Sequence, residues 1–221
     1  YVNCVSEYDF ASGETTIWDA VNSLSDISIS CLGKYSNTVW IGYDNGNIDK
    51  ISDNRVTNIS SIKLADIQGS KRINKLVEHG GYVYAATGFS IVKLDPAKNE
   101  VRDTYYPTNG NEPILDIAFK KDSIYAITSD RLFKGKTSNI ALADPAQWQV
   151  DTRVPILTTH QYSEIEVAAD EIFILYNEAA YGLDSVFRLE DQGLVSVVNE
   201  SFAMEIRSIN AVEGNLAVHF F

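Results

Sequence analysis

The sequence predicts an all-β fold, a β-propeller of four-stranded antiparallel blades, and two observations on internal repetition lead to this prediction. The first is a short apolar segment that recurs five times. The second residues of the five copies lie 44, 41, 48 and 44 positions apart. The copies are Val39–Tyr43, Val83–Thr87, Ile124–Thr128, Ile172–Tyr176 and Leu216–Phe220. A repeat of about 40 to 50 residues with several short strands is typical of propeller blades.

The second observation is that apolar residues precede every copy at two fixed distances. Eleven positions before the second residue of each copy stand Ile29, Ile73, Ile114, Tyr162 and Ile206. Eight positions before it stand Leu32, Leu76, Ile117, Ile165 and Ile209. Turn residues such as Gly80-Gly81 separate these rows from the copies. The constant spacing predicts a first and a second strand joined by a short turn in all five units, with the apolar rows packed between neighbouring sheets.

Two further strands follow in the four complete units. The predicted third strands are Asn47–Ile51, Ser90–Leu94, Arg131–Lys134 and Ser185–Leu189. The predicted fourth strands, which are less regular, are Val56–Ile59, Val101–Tyr105, Trp148–Val150 and Leu194–Val198. Asn45-Gly46, just before the first of the third strands, is a hairpin signal because both residues tolerate positive φ.

The two ends of the chain each contribute half a blade. Cys4–Tyr8 and Thr15–Trp18 correspond to third and fourth strands, whereas the final residues supply only a first and a second strand. Residues 1–221 are therefore expected to form one propeller domain or fragment, divided into a half-blade at 1–20, blades at about 26–62, 70–106, 112–151 and 160–199, and a half-blade at 204–221. The halves either close a five-bladed ring or belong to a longer propeller. The uncapped apolar ends favour the longer propeller.

Composition narrows the classes of partner. Of 221 residues, 45% are hydrophobic and 22% are charged, which is ordinary for a globular protein. Thirty acidic and eighteen basic side chains give a net charge of −12, which repels nucleic acid and anionic membranes. The sequence contains neither an apolar run of about 18 residues nor a signal peptide. We expect no nucleic-acid partner, no membrane span, and a chain that is processed or part of a longer protein.

Cysteine and histidine residues are few. Cys4 and Cys31 cannot form a disulfide framework or a cysteine-rich metal site, and the sequence leaves open whether they pair. The histidines, His79, His160 and His219, lie far apart at non-equivalent places in the repeat. We expect His79 to be exposed beside a turn and His219 to be partly buried in a strand. No metal site is predicted from these residues.

An oxygen-rich segment, two sequons and the aromatic residues could each suggest a binding or modification site. Asp44–Asp49 is rich in oxygen ligands but lacks the order of a calcium-binding loop, so a β-turn is predicted there. Asn58–Ser60 and Asn199–Ser201 match the glycosylation sequon, which matters only in a host that has the machinery. Twelve tyrosines and three tryptophans offer stacking surfaces, but many occupy repeat positions and are expected to pack between blades.

Catalytic chemistry has one candidate pair. Nucleophile-elbow, metalloprotease and phosphate-binding motifs are all missing from the sequence. The positions expected nearest a propeller axis carry Ser30, Cys31, Asn74, Lys75, Leu115, Asp116, Ser163, Glu164, Arg207 and Ser208. Asp116 and Glu164 could serve as the paired carboxylates of a glycosidase. Polar residues lining a wet channel explain the same positions more simply. We therefore predict no catalytic residue, no metal and no cofactor, and the ligand-binding residues stay undefined.

The blade motifs resemble those of a known family. The stretch Trp40–Asp49 is similar to the blade motif of PorZ-like proteins, the propeller components of the Bacteroidetes type IX secretion system. Further matching segments are Ile73–Leu76, Ala86–Asp95, Val101–Tyr105 and Asn139–Asp144. The resemblance covers roughly residues 20 to 150. Related two-component-regulator propellers share a W-I-G-T-x-x-G-L theme, from which this chain departs at Tyr43 and Ile48.

The resemblance implies a non-enzymatic binding scaffold of a cell-surface secretion complex. It implies protein partners within that complex, together with glycan or anionic lipopolysaccharide as a further ligand. The expected location is the extracellular face of the outer membrane, or the periplasm, of a Gram-negative bacterium. One alternative is the periplasmic ligand-sensing propeller of a hybrid two-component regulator. A second alternative is a carbohydrate-active enzyme that uses Asp116 and Glu164. The matching positions are blade-forming, so the resemblance assigns no functional residue.

Overall fold

The computed structural model describes residues 4–109, 112–159, 161–178, 184–197 and 205–220. In these ranges the strands form six antiparallel sheets, four with four strands and two with two. The first half-blade contains β1 (Cys4–Tyr8) and β2 (Thr15–Asp19). The first blade contains β3 (Ile29–Tyr35), β4 (Thr38–Tyr43), β5 (Ile48–Ser52) and β6 (Arg55–Ile59), and α1 (Ser61–Leu64) follows it. The second blade contains β7 (Ile73–His79), β8 (Tyr82–Thr87), β9 (Ile91–Asp95) and β10 (Glu100–Tyr105).

The remaining strands continue the same order. The third blade contains β11 (Asp116–Lys120), β12 (Ser123–Ile127), β13 (Leu132–Lys136) and β14 (Gln149–Val150). The fourth blade contains β15 (Tyr162–Ala168), β16 (Glu171–Tyr176), β17 (Ser185–Glu190) and β18 (Gly193–Ser196). The last half-blade contains β19 (Ile206–Val212) and β20 (Asn215–Phe220). These four-stranded antiparallel sheets confirm the predicted fold class. The chain divides into two compact units between Asp103 and Thr104, within β10.

The pairing of the first and second strands has the same register in all five units. In each unit, one apolar residue of the first strand stands eight positions before the second residue of the repeated segment. This apolar residue always lies opposite the third residue of that segment. These pairs are Leu32↔Ile41, Leu76↔Ala85, Ile117↔Ala126, Ile165↔Ile174 and Ile209↔Val218. The repeat spacing therefore predicts strand pairing correctly, because side chains on one face of a strand recur with a period of two.

A β-bulge interrupts the first strand at the same place in four of these units. The residues that it inserts are Ser30, Asn74, Ser163 and Arg207. In the third blade, the corresponding residue Leu115 donates its N–H to the Ile127 carbonyl at 2.9 Å, just before β11 begins. A bulge adds one residue to one strand and increases the local twist. The bulge re-aims the side chains at the start of each first strand, which are the positions assigned to the axis from the sequence.

The core of the N-terminal unit lies between adjacent sheets. Ile41 and Trp40 point to opposite faces of β4, and both are at least 98% buried. Val5 and Trp18 of the first half-blade cover the Ile41 face. Leu32 shares that face but is 53% exposed, contrary to the expectation that its row packs between sheets. Within the described residues, the half-blade beside it supplies only β1 and β2, which cover Ile41 and Ile51 but do not reach Leu32.

Close approach between neighbouring blades explains one glycine of the repeat. A Cβ at Gly42 would lie 2.6 Å from Cys31 Sγ and 2.7 Å from Ile73 Cβ. Real Cβ contacts are longer, so a side chain at this position would force the first strand of the second blade away. Gly46 has a different role, because its φ of +86° completes the Asp44–Gly46 turn.

The C-terminal unit has two apolar layers. One layer joins the third blade to the fourth and contains Ile127, Leu132, Ile165, Ile172 and Ile174. The other joins the fourth blade to the last half-blade through Phe173, Leu175, Val186, Ile206 and Ile209. The outer hairpins of the blades differ in length. Four residues, 96–99, connect β9 to β10, whereas two residues, 191–192, connect β17 to β18.

Candidate functional site

Asp116 and Glu164, the predicted candidate acid and base, each bind backbone of the next sheet. Asp116 is 2% exposed, and its Oδ2 accepts the Ile165 N–H of β15 at 3.2 Å. Its Oδ1 accepts the Ile117 N–H at 2.7 Å. Glu164 Oε2 accepts the Ile209 N–H of β19 at 2.8 Å. The two carboxylates occupy equivalent repeat positions and make equivalent contacts, so their geometry is that of ties between consecutive first strands.

The Asp44–Asp49 segment forms the predicted turn, and its last carboxylate is fully buried. Asp49 accepts hydrogen bonds from the Ser25 N–H at 2.8 Å, the Tyr43 hydroxyl at 2.7 Å and the Asn58 amide at 2.9 Å. Burial, together with the bond to the Asp49 carboxylate, raises the pKa of Tyr43 far above its ordinary range. These donors occupy the oxygens that a calcium ion would need. The segment therefore fixes the loop that leads into the first blade.

The side chain of Asn58 joins this network from an exposed position near the end of β6. Its amide also donates to Asn47 Oδ1 at 2.9 Å, and Asn47 is 2% exposed. The amide nitrogen of the first sequon is therefore engaged in hydrogen bonds in the folded protein. The second sequon, Asn199–Ser201, lies outside the described residues.

The two described histidines differ from expectation. His79 is half-buried, and burial and then the Lys93 charge lower its pKa. His219 is exposed, and its Nε2 lies 3.1 Å from Asn210 Nδ2. The reason is that β20 has a described neighbour strand only in β19, so its end stays open to solvent. His160 lies outside the described residues. In the described ranges, no three His, Cys, Asp or Glu side chains cluster as a metal site would require.

Cys4 and Cys31 are both free. Cys4 is exposed on β1, whereas the Cys31 sulfur packs against the Gly42 backbone. Burial raises the pKa of the Cys31 thiol to about 12. Cys31 therefore carries very little reactive thiolate at neutral pH.

A cation and an aromatic ring pair across strands at one register in all four blades. The opposed residues are Trp40↔Lys50, Tyr84↔Lys93, Tyr125↔Lys134 and Phe173↔Arg188. In the first three blades the ammonium lies 5.7, 5.6 and 5.4 Å from the ring centre. Contacts of this kind are worth about 0.5 to 1 kcal/mol at exposed sites. The pairing places one basic group at the same side of each blade.

What covers this basic group differs from blade to blade. Lys50 Nζ donates to the Pro96 carbonyl at 2.9 Å and to Asn99 Oδ1 at 2.8 Å, both in the long outer hairpin of the second blade. Lys134 makes no hydrogen bond among the described residues and instead borders an open groove between the third and fourth blades. The fourth blade's corresponding hairpin is two residues shorter and does not cover the groove.

This groove is the candidate functional site of the C-terminal unit. Its volume is about 530 Å³, and the fourth blade lines it with Ile172 and Leu189. The third blade supplies the polar wall, formed by Lys120, Lys121, Asp122, Ser123, Tyr125, Lys134, Gln149, Val150, Asp151, Thr152 and Arg153. Four of these side chains are basic and two are acidic, although acidic residues outnumber basic ones by thirty to eighteen in the whole chain. The groove therefore carries a local excess of positive charge.

One of the two acids is already neutralised. Arg153 binds Asp151 through Nε at 2.9 Å and through a second nitrogen at 2.6 Å. Burial of Asp151 acts to raise its pKa, but the hydrogen bonds and charge of Arg153 outweigh it, so the pKa is lowered. The Lys134 charge also acts on Asp151, and Lys134 lies over the Tyr125 ring, but among the described side chains neither Lys134 nor Lys120 forms a hydrogen bond or a salt bridge with a carboxylate.

Sequence reasoning missed this groove. The third-strand lysine and the second-strand aromatic residue were visible in the repeat, but each blade carries the same kind of pair. The length of the hairpin at residues 191–192 distinguishes the interface between the third and fourth blades, because this short hairpin leaves Lys134 uncovered. The number of residues between the third and fourth strands of each blade was the sequence signal that could have revealed the groove.

Comparison with protein families matches residues 5–149, more than half of the chain, to the N-terminal β-propeller domain of PorZ from the type IX secretion system. The chain belongs to the PorZ N-terminal β-propeller family. The matched range covers the first three blades and includes the third-blade wall of the groove as far as Gln149. A comparison with curated proteins finds no match.

Solved propeller structures share the fold of this chain. PorZ of Porphyromonas gingivalis, described as an essential bacterial surface component of the type IX secretion system, matches with a TM-score of 0.77 and 24% identity. The match covers 98% of this chain and 28% of PorZ, so the chain spans little more than a quarter of that protein's length. The extracellular domain of a hybrid two-component system from B. thetaiotaomicron matches with a TM-score of 0.59 and 14% identity, over 95% of this chain and 25% of that one. At such identities the structural likeness establishes the fold alone.

Proposed function

We propose that this PorZ-family propeller is a non-enzymatic binding scaffold of a cell-surface type IX secretion complex. The observation that carries the proposal is the match of residues 5–149 to the PorZ propeller domain. The blades offer hydrogen-bonded sheets that pack through apolar layers, together with a polar groove at one interface, as a scaffold requires. The described helices include none long and apolar enough to cross a membrane. Partners in the proposed role are proteins of the surface complex, with glycan or lipopolysaccharide as a further ligand.

The contacts of the candidate carboxylates support a non-enzymatic role. Asp116 Oδ2 and Glu164 Oε2 accept backbone N–H groups that tie one sheet to the next. A general acid or base needs to exchange protons with substrate, and a carboxylate that holds main chain in place is poorly suited to this. We therefore disfavour the carbohydrate-active alternative. Turnover of an anionic or neutral glycan that is abolished by both Asp116→Asn and Glu164→Gln would restore it.

The decisive experiment locates the full-length protein and its partners. We expect affinity purification from outer-membrane extracts to recover it at the extracellular face or in the periplasm, together with other components of the secretion machinery. Recovery as a free cytosolic protein would refute the scaffold role.

The second candidate function is the ligand-sensing propeller of a hybrid two-component regulator. The likeness to the B. thetaiotaomicron extracellular domain favours it, although with a lower TM-score than the PorZ structure. A transmembrane segment and a kinase domain encoded in the same reading frame would favour this candidate over the scaffold.

A further inference from the structure

Within the described residues, the third blade presents unpaired main chain to the groove. Phe133 and Val150 are opposite each other in the register of β13 and β14, and one residue further on the Asp151 N–H donates to the Leu132 carbonyl at 2.8 Å. In an antiparallel pair the next residue along a strand directs its N–H and C=O to the other side. The N–H and C=O of Val150 therefore point away from β13. Val150 lines the groove, and β14 is the edge strand of its sheet.

The basic surface continues past this edge. A second cavity of about 250 Å³ shares Lys134 and Gln149 with the groove and adds Lys136. Both cavities follow the β13–β14 pair. Their shared wall favours an extended ligand over a compact anion, because a single ion would fill only one of them.

We propose that the groove binds an extended acidic peptide segment of a partner protein, which adds to the outer edge of β14. Its main chain pairs with Val150, and one of its carboxylates binds Lys134. Strand addition of this kind takes affinity from main-chain hydrogen bonds and specificity from alternate side chains. The unpaired edge of β14 favours a peptide over a polyanionic glycan, which has no regular row of amides to match it. The inference rests on the proposed function, because a scaffold needs protein partners.

The test measures binding of a labelled peptide of about ten alternating glutamate and threonine residues to the full-length protein by fluorescence anisotropy. Lys134→Gln removes the uncovered charge and should weaken binding about tenfold or more, as expected for loss of a charge-assisted hydrogen bond. The matched control is Lys50→Gln, at the same register, whose ammonium is already bound by the second blade. This control should leave peptide affinity unchanged.

A second variant tests the strand edge. Val150→Pro removes an N–H that β13 does not use, and edge strands tolerate proline at such positions. It should reduce peptide affinity without lowering the thermal unfolding midpoint. Polygalacturonate serves as a polyanion that lacks amides, and its binding should be insensitive to Val150→Pro.

Two results would overturn the proposal. One is peptide binding that Lys134→Gln and Val150→Pro both leave unchanged. The other is tight binding of polygalacturonate that depends on Lys134 when the peptide does not bind, which would assign the groove to an anionic glycan. In either case, recovery of the protein with its secretion partners would leave the scaffold function standing. Failure of that recovery would refute the function separately.

Discussion

At the residue scale, a single buried carboxylate holds the segments of the first blade motif together. Asp49 lies in the segment that most resembles the family motif, and its carboxylate has no exposure to solvent. It joins Ser25 of the entry loop, Tyr43 of β4 and Asn58 of β6. The sequence marked this segment as a turn rich in oxygen ligands. It could not show that the last carboxylate points inward, because that depends on the loop that folds over it from residue 25.

Replacement of Asp49 by alanine should destabilise the protein strongly. The variant leaves the buried Tyr43 hydroxyl without its carboxylate acceptor, and an unsatisfied buried donor costs about 1 to 3 kcal/mol. The Ser25 N–H can turn to water, and the Asn58 amide keeps its bonds to Asn47 and Ile48. We expect the free energy of unfolding, measured by urea denaturation, to fall by about 2 kcal/mol. Asp66→Ala, which removes the same charge from an exposed loop, is the control and should change it by less than about 0.5 kcal/mol. Equal effects of the two variants would contradict this role.

The two cysteines should react at very different rates. Cys4 is exposed, whereas burial raises the pKa of Cys31 to about 12. Because the thiolate is the reactive form, a thiol reagent at neutral pH should label one equivalent rapidly in the native state. The second equivalent should react only in denaturant. Cys4→Ser should abolish the rapid phase, and a persistent rapid phase in that variant would show that Cys31 is accessible.

At the level of elements, first strands are tied to one another by side chains as well as by apolar packing. Asp116 and Glu164 reach the next first strand at equivalent positions, 49 and 45 residues further along. The repeat spacing predicted these strands and their register, since the apolar rows recur at fixed distances. It did not predict the ties, because a carboxylate near an axis has the same sequence pattern whether it faces water, substrate or backbone.

Two substitutions of Glu164 should show whether the fold depends on its hydrogen bond to Ile209 or on its negative charge. Glu164→Gln keeps an oxygen that accepts the Ile209 N–H, so it should change the thermal midpoint little. Glu164→Ala leaves that N–H without the carboxylate and should cost about 1 to 2 kcal/mol, read as a lower midpoint in calorimetry. Similar losses for both variants would indicate that the negative charge, and not the hydrogen bond, is what the fold requires.

At the scale of the whole molecule, the net charge of −12 includes contributions from acidic residues in different environments. Most of the described acidic residues are exposed or partly exposed. The pKa values of Asp26 and Asp151 are lowered because basic and amide partners outweigh the effect of burial. The total charge was predictable from composition. The uneven distribution was not, because it depends on which hairpins cover which lysines.

The lowered pKa of Asp151 predicts a pH dependence of stability. A carboxyl whose pKa is lower folded than unfolded stabilises the fold above its unfolded value, near 4, and loses this contribution as the pH falls through the folded value. Asp151→Asn should lower the free energy of unfolding by about 1 to 2 kcal/mol at pH 6. The difference from wild type should shrink steadily below about pH 4. A difference that stays constant as the pH falls from about 4 towards 2 would contradict this assignment.

The two-residue hairpin at 191–192 has a consequence for how such propellers diversify. Lengthening a surface turn disturbs no core contact, so an insertion there is tolerated far more easily than a substitution inside a sheet. A lineage could therefore close the groove by gaining a few residues, or open one at another interface by losing them, while every blade stays intact. Relatives with nearly identical blades would then differ in their partners, and the lengths of their outer hairpins would record the difference.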